Sequence, residues 1–158
     1  KGAQKTFTLR ILKYGKENMK IEHANLTVYS IEKAIHFLKA AFPEFQIRGE
    51  GAGGEGESHR RWLHLGTDAT YLALEELTVQ PESPARRPYF HTGINHLCFE
   101  VENIDEISKR LTAAEYTPLP VPKEQFRKRF YVHDHVGNEW EFVEYSSQVP
   151  KEKNLYEK

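Results

Sequence analysis

An internal repeat constrains the fold of this chain more than any other feature of its sequence. The segment His23-Ala-Asn-Leu-Thr-Val28 matches His96-Leu-Cys-Phe-Glu-Val101 at an offset of 73 residues (96 − 23). The same offset aligns Ser30 with Asn103, two residues that commonly cap helix N-termini, and an amphipathic pattern of about three turns follows each of them. Each copy therefore begins with a strand of alternating polarity and continues into a helix.

The second half of the repeat follows a shorter offset of 68 residues. It aligns Arg61-Trp62-Leu63 with Arg129-Phe130-Tyr131, and Tyr71-Leu72-Ala73-Leu74 with Glu139-Trp140-Glu141-Phe142. The glycine-rich segment at residues 49–56 accounts for the five additional residues of the first copy (73 − 68). We therefore predict an α+β fold in which two βαβββ modules form a curved, barrel-like mixed sheet with the helices outside.

The chain divides into one domain and two flanking segments. Residues 1–18 form a basic stretch that predicts a leader or arm, with an additional edge strand over residues 6–12 as the alternative. The predicted domain spans residues 19–148 and consists of a module at 19–78, a proline-bearing linker at 79–92 and a module at 93–148. Residues 149–158 are predicted to be a charged tail.

Composition excludes several classes of protein. The chain has 22 basic and 23 acidic residues in mixed order, without the basic excess that is typical of nucleic-acid binders. No apolar run approaches the roughly 20 residues that a membrane helix needs. The only cysteine, Cys98, cannot form an internal disulfide, which favours a reducing cytoplasm. We therefore expect a cytoplasmic protein with neither a nucleic-acid partner nor a membrane partner.

Alternation along the strands assigns side chains to the two faces of each sheet. In the first strand the apolar residues are expected to pack toward the helix, which leaves His23 and Asn25 on the other face, here called the open face. His96 follows the same parity in the second copy. In the last strand Trp140 is expected to face the helix, so that Glu141 lies on the open face. Both histidines and Glu141 are thus predicted to line a polar cleft.

These features resemble the vicinal oxygen chelate superfamily, which includes glyoxalase I, methylmalonyl-CoA epimerase, extradiol dioxygenases, fosfomycin-resistance thiol transferases and bleomycin-binding proteins. The resemblance covers about residues 20–146 and rests on the paired modules, the two histidines and the segment Asp134-His-Val-Gly137-Asn138-Glu-Trp140-Glu141-Phe142. In the family this segment is similar to an Asp-Pro-Asp-Gly turn followed by a strand that bears a metal-binding glutamate. Here His135 and Val136 stand in place of the proline and the second aspartate.

The resemblance implies a metal site with His23, His96 and Glu141 as ligands, and it implies a catalytic role for Glu141. A fully symmetric family member has four ligands, and the repeat register puts Ala73, which cannot bind a metal, at the fourth position. Two histidines and one carboxylate suit Fe(II), Mn(II), Zn(II) or Ni(II), and the sequence does not choose among these ions.

Three residues are predicted to contact a substrate: Asn25, Arg129 and Tyr131. Arg129 and Tyr131 alternate with Phe130, which places both on the open face, and a guanidinium suits an anionic or oxygen-rich ligand. The alternative for Arg129 is a solvated surface position.

Three other residues have side chains that can bind a metal or act as a nucleophile, but we expect structural roles for them. His133 and His135 lie at a strand end and a turn, and we expect both at the surface rather than on a metal. Cys98 faces the cleft by parity but has no adjacent basic motif, so we expect it to fill space rather than act as a nucleophile.

The implied function is that of a metal-dependent enzyme whose small oxygenated substrate chelates the ion through two vicinal oxygens. The reaction stays open among lyase, isomerase, dioxygenase and thiol transferase chemistry. The absence of a carboxylate at Ala73 argues against the proton-abstracting glyoxalase and epimerase branch, whereas the ligand set resembles extradiol dioxygenases and fosfomycin-type transferases. A metal-free protein that sequesters a drug or metabolite, as bleomycin-binding relatives do, is the alternative.

A homodimer is the expected assembly. Each predicted sheet is open and has two exposed edges, and such edges are normally paired or covered. The two modules can pair within one chain or be swapped between two chains, and linker 79–92 is long enough for either arrangement.

Overall fold

A computed structural model of the chain describes residues 21–56, 59–77 and 89–155. The predicted leader at residues 1–18, its alternative strand at 6–12 and most of linker 79–92 lie outside the described residues.

Two βαβββ modules are confirmed, and a short helix follows the second. The first module contains β1 (His23–Val28), α1 (Ile31–Ala41), β2 (Gln46–Gly53), β3 (Arg60–Gly66) and β4 (Tyr71–Leu77). The second contains β5 (His96–Glu100), α2 (Ile104–Ala113), β6 (Leu119–Pro120), β7 (Arg127–His133) and β8 (Glu139–Tyr145), and α3 (Pro150–Lys153) follows it.

Each module forms its own curved, four-stranded mixed sheet. The strand orders are β1-β4-β3-β2 and β5-β8-β7-β6, with β1–β4 and β5–β8 parallel and the other pairs antiparallel. In the described part of the chain no strand ladder joins the two sheets, and neither sheet closes into a barrel. The predicted barrel-like sheet is therefore two separate curved sheets, because the modules meet through their helices and helix-facing residues rather than through strand edges.

The helices begin where the repeat predicts. The Ser30 side chain accepts a hydrogen bond from the Lys33 amide at 3.2 Å, and Asn103 accepts one from the Glu106 amide at 3.1 Å. A carboxylate from the last strand of each sheet accepts a second bond from the first helical residue: Glu76 from the Ile31 amide at 2.6 Å, and Glu144 from the Ile104 amide at 2.7 Å. Each helix start therefore has two of its free amides satisfied.

The two modules share one hydrophobic core on the helix-facing sides of their sheets. Phe37 of α1 lies 5.5 Å from Trp140 of β8, measured between ring centroids, and Phe42 lies 4.8 Å from Phe99 of β5. Arg110 of α2 donates to the carbonyls of the last turn of α1, at 3.2 Å to Ala40 and 2.6 Å to Ala41. Since fully burying one phenylalanine side chain contributes about 1.5–3 kcal/mol, these rings contribute strongly to holding the modules together.

The repeat alignment of the third strand is wrong by one residue. Leu63 lies opposite Leu74, and Phe130 lies opposite Phe142, so Leu63 corresponds to Phe130 at an offset of 67. Both residues are buried in the core. Because a slip of one residue exchanges the faces of a strand, Trp62 lies on the open face at the position of Arg129, and not at the position of Phe130.

His135, in the turn between β7 and β8, differs from its predicted surface placement. Both of its ring nitrogens are buried and have no hydrogen-bond partner among the described residues. Burial lowers the pKa of His135; the nearby charge of Asp134 opposes this shift and that of Lys33 adds to it. The neutral imidazole is therefore the form that the folded protein favours.

We expect the free energy of unfolding to fall as the pH decreases below about 6.5. In that range the unfolded His135 takes up a proton and the folded one does not, so stability is lost until the pH reaches the lowered pKa of the folded state. His135→Leu should reduce this pH dependence and raise stability at low pH by about 1–3 kcal/mol. Urea unfolding at pH 7.5 and pH 5.5 measures both effects, with His59→Leu, at an exposed histidine, as the control. Equal pH dependence in His135→Leu and the unsubstituted protein would contradict the prediction.

Candidate active site

The turn before β8 sets the orientation of Glu141. Gly137 has a φ of +85°, a conformation that glycine adopts without the steric cost of a Cβ. Asp134 is the centre of the turn, and its carboxylate accepts hydrogen bonds from the Val136 amide at 3.0 Å, the Asn138 amide at 2.9 Å, the Asn138 side chain at 3.0 Å and the Trp140 indole at 3.2 Å. Because the indole is held on the core side, the next residue, Glu141, is directed to the open face.

His96 and Glu141 meet on the open face of the second sheet. Glu141 is only 7% exposed, and its Oε2 lies 3.1 Å from Nε2 of His96. Its other oxygen, Oε1, accepts a hydrogen bond from Nη1 of Arg129 at 3.2 Å. The two oxygens of this buried carboxylate thus contact two different side chains, an imidazole and a guanidinium.

The second nitrogen of His96 belongs to a network that the sequence analysis missed. Nδ1 of His96 lies 2.9 Å from the Tyr89 hydroxyl and 3.3 Å from Oε1 of Glu139, and the Tyr89 hydroxyl donates to Glu139. The signal for Glu139 was present, since it shares the open face of β8 with Glu141 by parity. Tyr89 lies at the end of the linker and carried no sequence signal.

Two of the predicted substrate-binding residues lie beside this pair. Nη2 of Arg129 contacts Glu124, Nη1 lies 3.5 Å from the Tyr131 hydroxyl, and Nε is buried without a hydrogen-bond partner among the described residues. The Tyr131 ring contacts His96 edge to face at 5.6 Å. Burial, followed by the charge of Glu141, raises the pKa of Tyr131, so that its hydroxyl remains a proton donor at neutral pH.

Cys98 lies opposite Glu141 in the parallel ladder of β5 and β8. Desolvation by its neighbours, followed by the charge of Glu141, raises the pKa of this thiol to about 12. A thiol with such a pKa is protonated at neutral pH and is a poor nucleophile. The expected space-filling role is not seen in the single chain, where Cys98 is exposed.

His23 and Asn25 lie on the open face of the first sheet, among a different set of side chains. Nδ1 of His23 contacts the Glu22 carboxylate, and the His23 ring stacks on Tyr71 at 4.7 Å with an interplanar angle of 16°. Asn25 donates to Glu75 at 3.0 Å. The rings of Trp62 and His64 continue the row beyond Tyr71, and Arg48 lies 4.3 Å from the Tyr71 ring centroid.

Most of the chain matches one family of known proteins. The model of the Glyoxalase/Bleomycin resistance protein/Dioxygenase superfamily matches residues 20–142. The chain belongs to this superfamily. The match ends one residue beyond Glu141 and contains both histidines of the repeat.

Solved structures of other superfamily members share the fold. A glyoxalase family protein from Bacillus cereus has a TM-score of 0.66 at 20% identity, covering 84% of this chain and 99% of its own. A glyoxalase/bleomycin resistance protein/dioxygenase domain from Frankia sp. EAN1pec has a TM-score of 0.67 at 18% identity, with coverage of 83% and 95%. The fosfomycin resistance protein FosX from Listeria monocytogenes, solved with Mn(II) and sulfate, has a TM-score of 0.60 at 18% identity, with coverage of 86% and 98%.

No curated protein sequence matches the chain significantly. None of the helices in the described ranges has both the length and the apolar character needed to cross a membrane.

The structure brings together two of the three residues that were predicted to bind a metal. Over residues 21–56, 59–77 and 89–155, no three histidine, cysteine, aspartate or glutamate side chains lie together so that they could hold a metal ion. The structure brings His96 and Glu141 together and leaves His23 with Glu22 and Tyr71. Ala73 lies opposite Asn25 as Glu141 lies opposite Cys98, which makes Ala73 the positional equivalent of Glu141 in the first module.

Proposed function

We propose that this superfamily member is a metal-dependent enzyme that acts on a small oxygenated substrate. The observation that carries the proposal is the 3.1 Å approach of Nε2 of His96 to a carboxylate oxygen of Glu141 on the open face of β5 and β8. An imidazole nitrogen and a carboxylate oxygen are ligands that divalent Fe, Mn, Zn and Ni accept. In the proposed site, Glu141 is also the catalytic residue.

The third ligand in this proposal is His23 of a second copy of the chain. In one chain His96 and Glu141 approach each other, and among the described residues no third possible ligand joins them. Each sheet also has an open face that its own helix does not cover. In the proposed homodimer, the open face of the second module of one copy meets the open face of the first module of the other. His23 then joins His96 and Glu141 across the interface.

The residues around Glu141 have the properties needed to bind an anionic or hydroxylated substrate. A bound divalent ion would supply Lewis acidity that stabilises negative charge on substrate oxygens. Arg129 would orient an anionic group through its planar guanidinium. Tyr131 would hold a proton at its hydroxyl and donate a hydrogen bond. In the proposed dimer Asn25 would lie at the edge of the same cleft.

The reaction class remains open in this proposal among lyase, isomerase, dioxygenase and thiol transferase chemistry. A methyl group at Ala73, in place of a carboxylate, argues against branches in which a fourth ligand abstracts a proton. FosX, which shares this fold and was solved with Mn(II), makes Mn(II) the first ion to test. We further propose that the protein is cytoplasmic, on the basis of its single cysteine.

A specific observation favours a second candidate, a metal-free protein that binds a drug or metabolite. In a single chain the ion pair with Arg129 already balances the charge of Glu141, at 3.2 Å, so this carboxylate does not require a metal ion for neutralisation. The cleft would then bind its ligand through Arg129 and Tyr131 alone.

Metal content and metal-dependent ligand binding separate the two candidates. We expect protein purified without chelators to contain stoichiometric divalent metal by elemental analysis. Oxalate, whose two vicinal oxygens can chelate one ion, should bind the metal-loaded protein and not the chelator-treated protein when both are titrated calorimetrically. A metal-free preparation, or equal oxalate binding with and without metal, would favour the second candidate.

A further inference from the structure

We infer that Glu22 and Glu139 are positioning residues that orient His23 and His96 so that each presents Nε2 to a metal ion. The inference rests on the proposed function, since it concerns the ligands of that site. In both histidines Nδ1 contacts a carboxylate, and Nε2 of His96 faces the Glu141 carboxylate at 3.1 Å.

The contacts of His96 favour one tautomer for metal binding. A neutral imidazole carries one proton, and the nitrogen without the proton is the one that binds a metal. Nδ1 lies 2.9 Å from the Tyr89 hydroxyl, which itself donates to Glu139, and Nδ1 also lies 3.3 Å from Glu139 directly. The Tyr89 hydroxyl and Glu139 can therefore both accept a hydrogen bond from Nδ1. Nε2 faces the Glu141 carboxylate, so with a metal ion held between Nε2 and Glu141 the proton belongs on Nδ1 and the lone pair on Nε2.

In the first module, different residues hold His23 through its Nδ1 atom. His23 lies opposite Tyr71 in the ladder of β1 and β4, as His96 lies opposite Glu139 in the ladder of β5 and β8. The repeat therefore puts a tyrosine where the second module has its positioning carboxylate. Glu22, adjacent to His23 in the chain, contacts Nδ1 instead, and Tyr71 fixes the plane of the ring by stacking. His23 and His96 are thus held through Nδ1 by different residues, which supports the inference that this ring orientation is important for function.

Tyr89 is held in place by a turn that a tyrosine rarely adopts. Its φ is +62°, in the left-handed region that disfavours residues with a Cβ. Its backbone amide donates to the Asn95 side chain at 2.7 Å, which ties this turn to the residue before His96. The turn thus delivers the Tyr89 hydroxyl to the position between Nδ1 of His96 and Glu139.

Metal affinity measures the inferred role directly. A carboxylate that holds a ligating histidine typically contributes 10–100-fold to metal affinity, through orientation and ligand basicity. We expect Glu139→Gln and Glu22→Gln each to weaken Zn(II) binding by about 10–100-fold, and Tyr89→Phe to weaken it by about tenfold. Dissociation constants come from competition with a chromophoric chelator. Glu102→Gln is the matched control, because Glu102 is an exposed glutamate outside this network.

The tautomer of each histidine is a second measurement, and a general loss of protein stability would not change it. In long-range ¹H–¹⁵N spectra of the Zn(II)-loaded protein, His96 and His23 should carry their protons on Nδ1 and bind the metal through Nε2. Coordination through Nδ1 would overturn the inference, as would unchanged Zn(II) affinity in folded Glu139→Gln and Glu22→Gln. If Glu139→Gln does not fold, Tyr89→Phe and Glu22→Gln, both at exposed residues, decide the matter by the same criterion.

The same experiments distinguish failure of this inference from failure of the proposed function. Failure of the unsubstituted protein to bind any divalent metal would overturn both. Tight metal binding that the three substitutions leave unchanged would overturn the positioning role and leave the metal-dependent function standing.

Discussion

Replacing His96 or Glu141 with alanine is expected to leave a folded protein that no longer retains stoichiometric divalent metal. Each substitution removes one of two proposed ligands, which lie 3.1 Å apart in a single chain. The loss of affinity should exceed the roughly 100-fold that removal of a supporting residue causes, because a coordinating bond itself is lost. His23→Ala should have the same effect on metal content if the third ligand comes from the first module. Elemental analysis of protein purified without chelators measures the result.

Two exposed residues provide matched controls for these substitutions. His59→Ala removes a histidine beside the glycine-rich segment of residues 49–56, and Glu102→Ala removes a glutamate beside β5. Both variants should keep full metal content, and circular dichroism should show that all five variants are folded. Full metal content in the folded His23, His96 and Glu141 variants would refute the ligand assignment.

The modules could be predicted because local signals and the global fold agree in both copies. Ser30 and Asn103 are strong helix caps, and each follows a strand whose apolar residues alternate. The structure adds a cap that no local pattern shows, since Glu76 and Glu144 contact the helix starts although they lie 45 and 40 residues further along the chain. Local signals therefore predicted the elements, and long-range contacts fix how they join.

The alignment of the third strand failed because it matched arginines rather than buried positions. Arg61 was aligned with Arg129, although charged residues on a strand are free to differ between repeats. The buried pairs Leu63–Leu65 and Phe130–Val132 give the correct register, in which Trp62 faces the open side. Burial constrains register more strongly than charge does, because a one-residue slip would expose the core.

Strand parity predicted the sheet face on which each residue of the site lies. Parity put His96 and Glu141 on one face, and the ladder in which Cys98 lies opposite Glu141 makes them close neighbours. Parity also put His23 on the open face of its own sheet, but it does not determine whether His23 lies near the other two residues. Tyr89 could not be predicted at all, because it reaches His96 through an irregular turn with a φ of +62°.

Mixing two variants that each lack metal is expected to restore metal binding, because in the proposed dimer the open faces of two chains combine to form each site. In such a dimer each site combines His23 of one copy with His96 and Glu141 of the other. A heterodimer of His23→Ala and Glu141→Ala then contains one site with both substitutions and one site with neither. Random exchange of subunits should restore about a quarter of the sites, since about half of the dimers are mixed and each has one intact site.

Co-expression with two different affinity tags allows the mixed dimer to be isolated and its metal content measured. We expect one metal ion per mixed dimer and none in either variant alone. A control pair, His96→Ala with Glu141→Ala, should restore nothing, because both residues belong to the same module and every site in their heterodimer lacks one of them. Absence of metal from the first mixed dimer, or tight metal binding by a protein that sediments as a monomer at micromolar concentration, would place all three ligands within one chain.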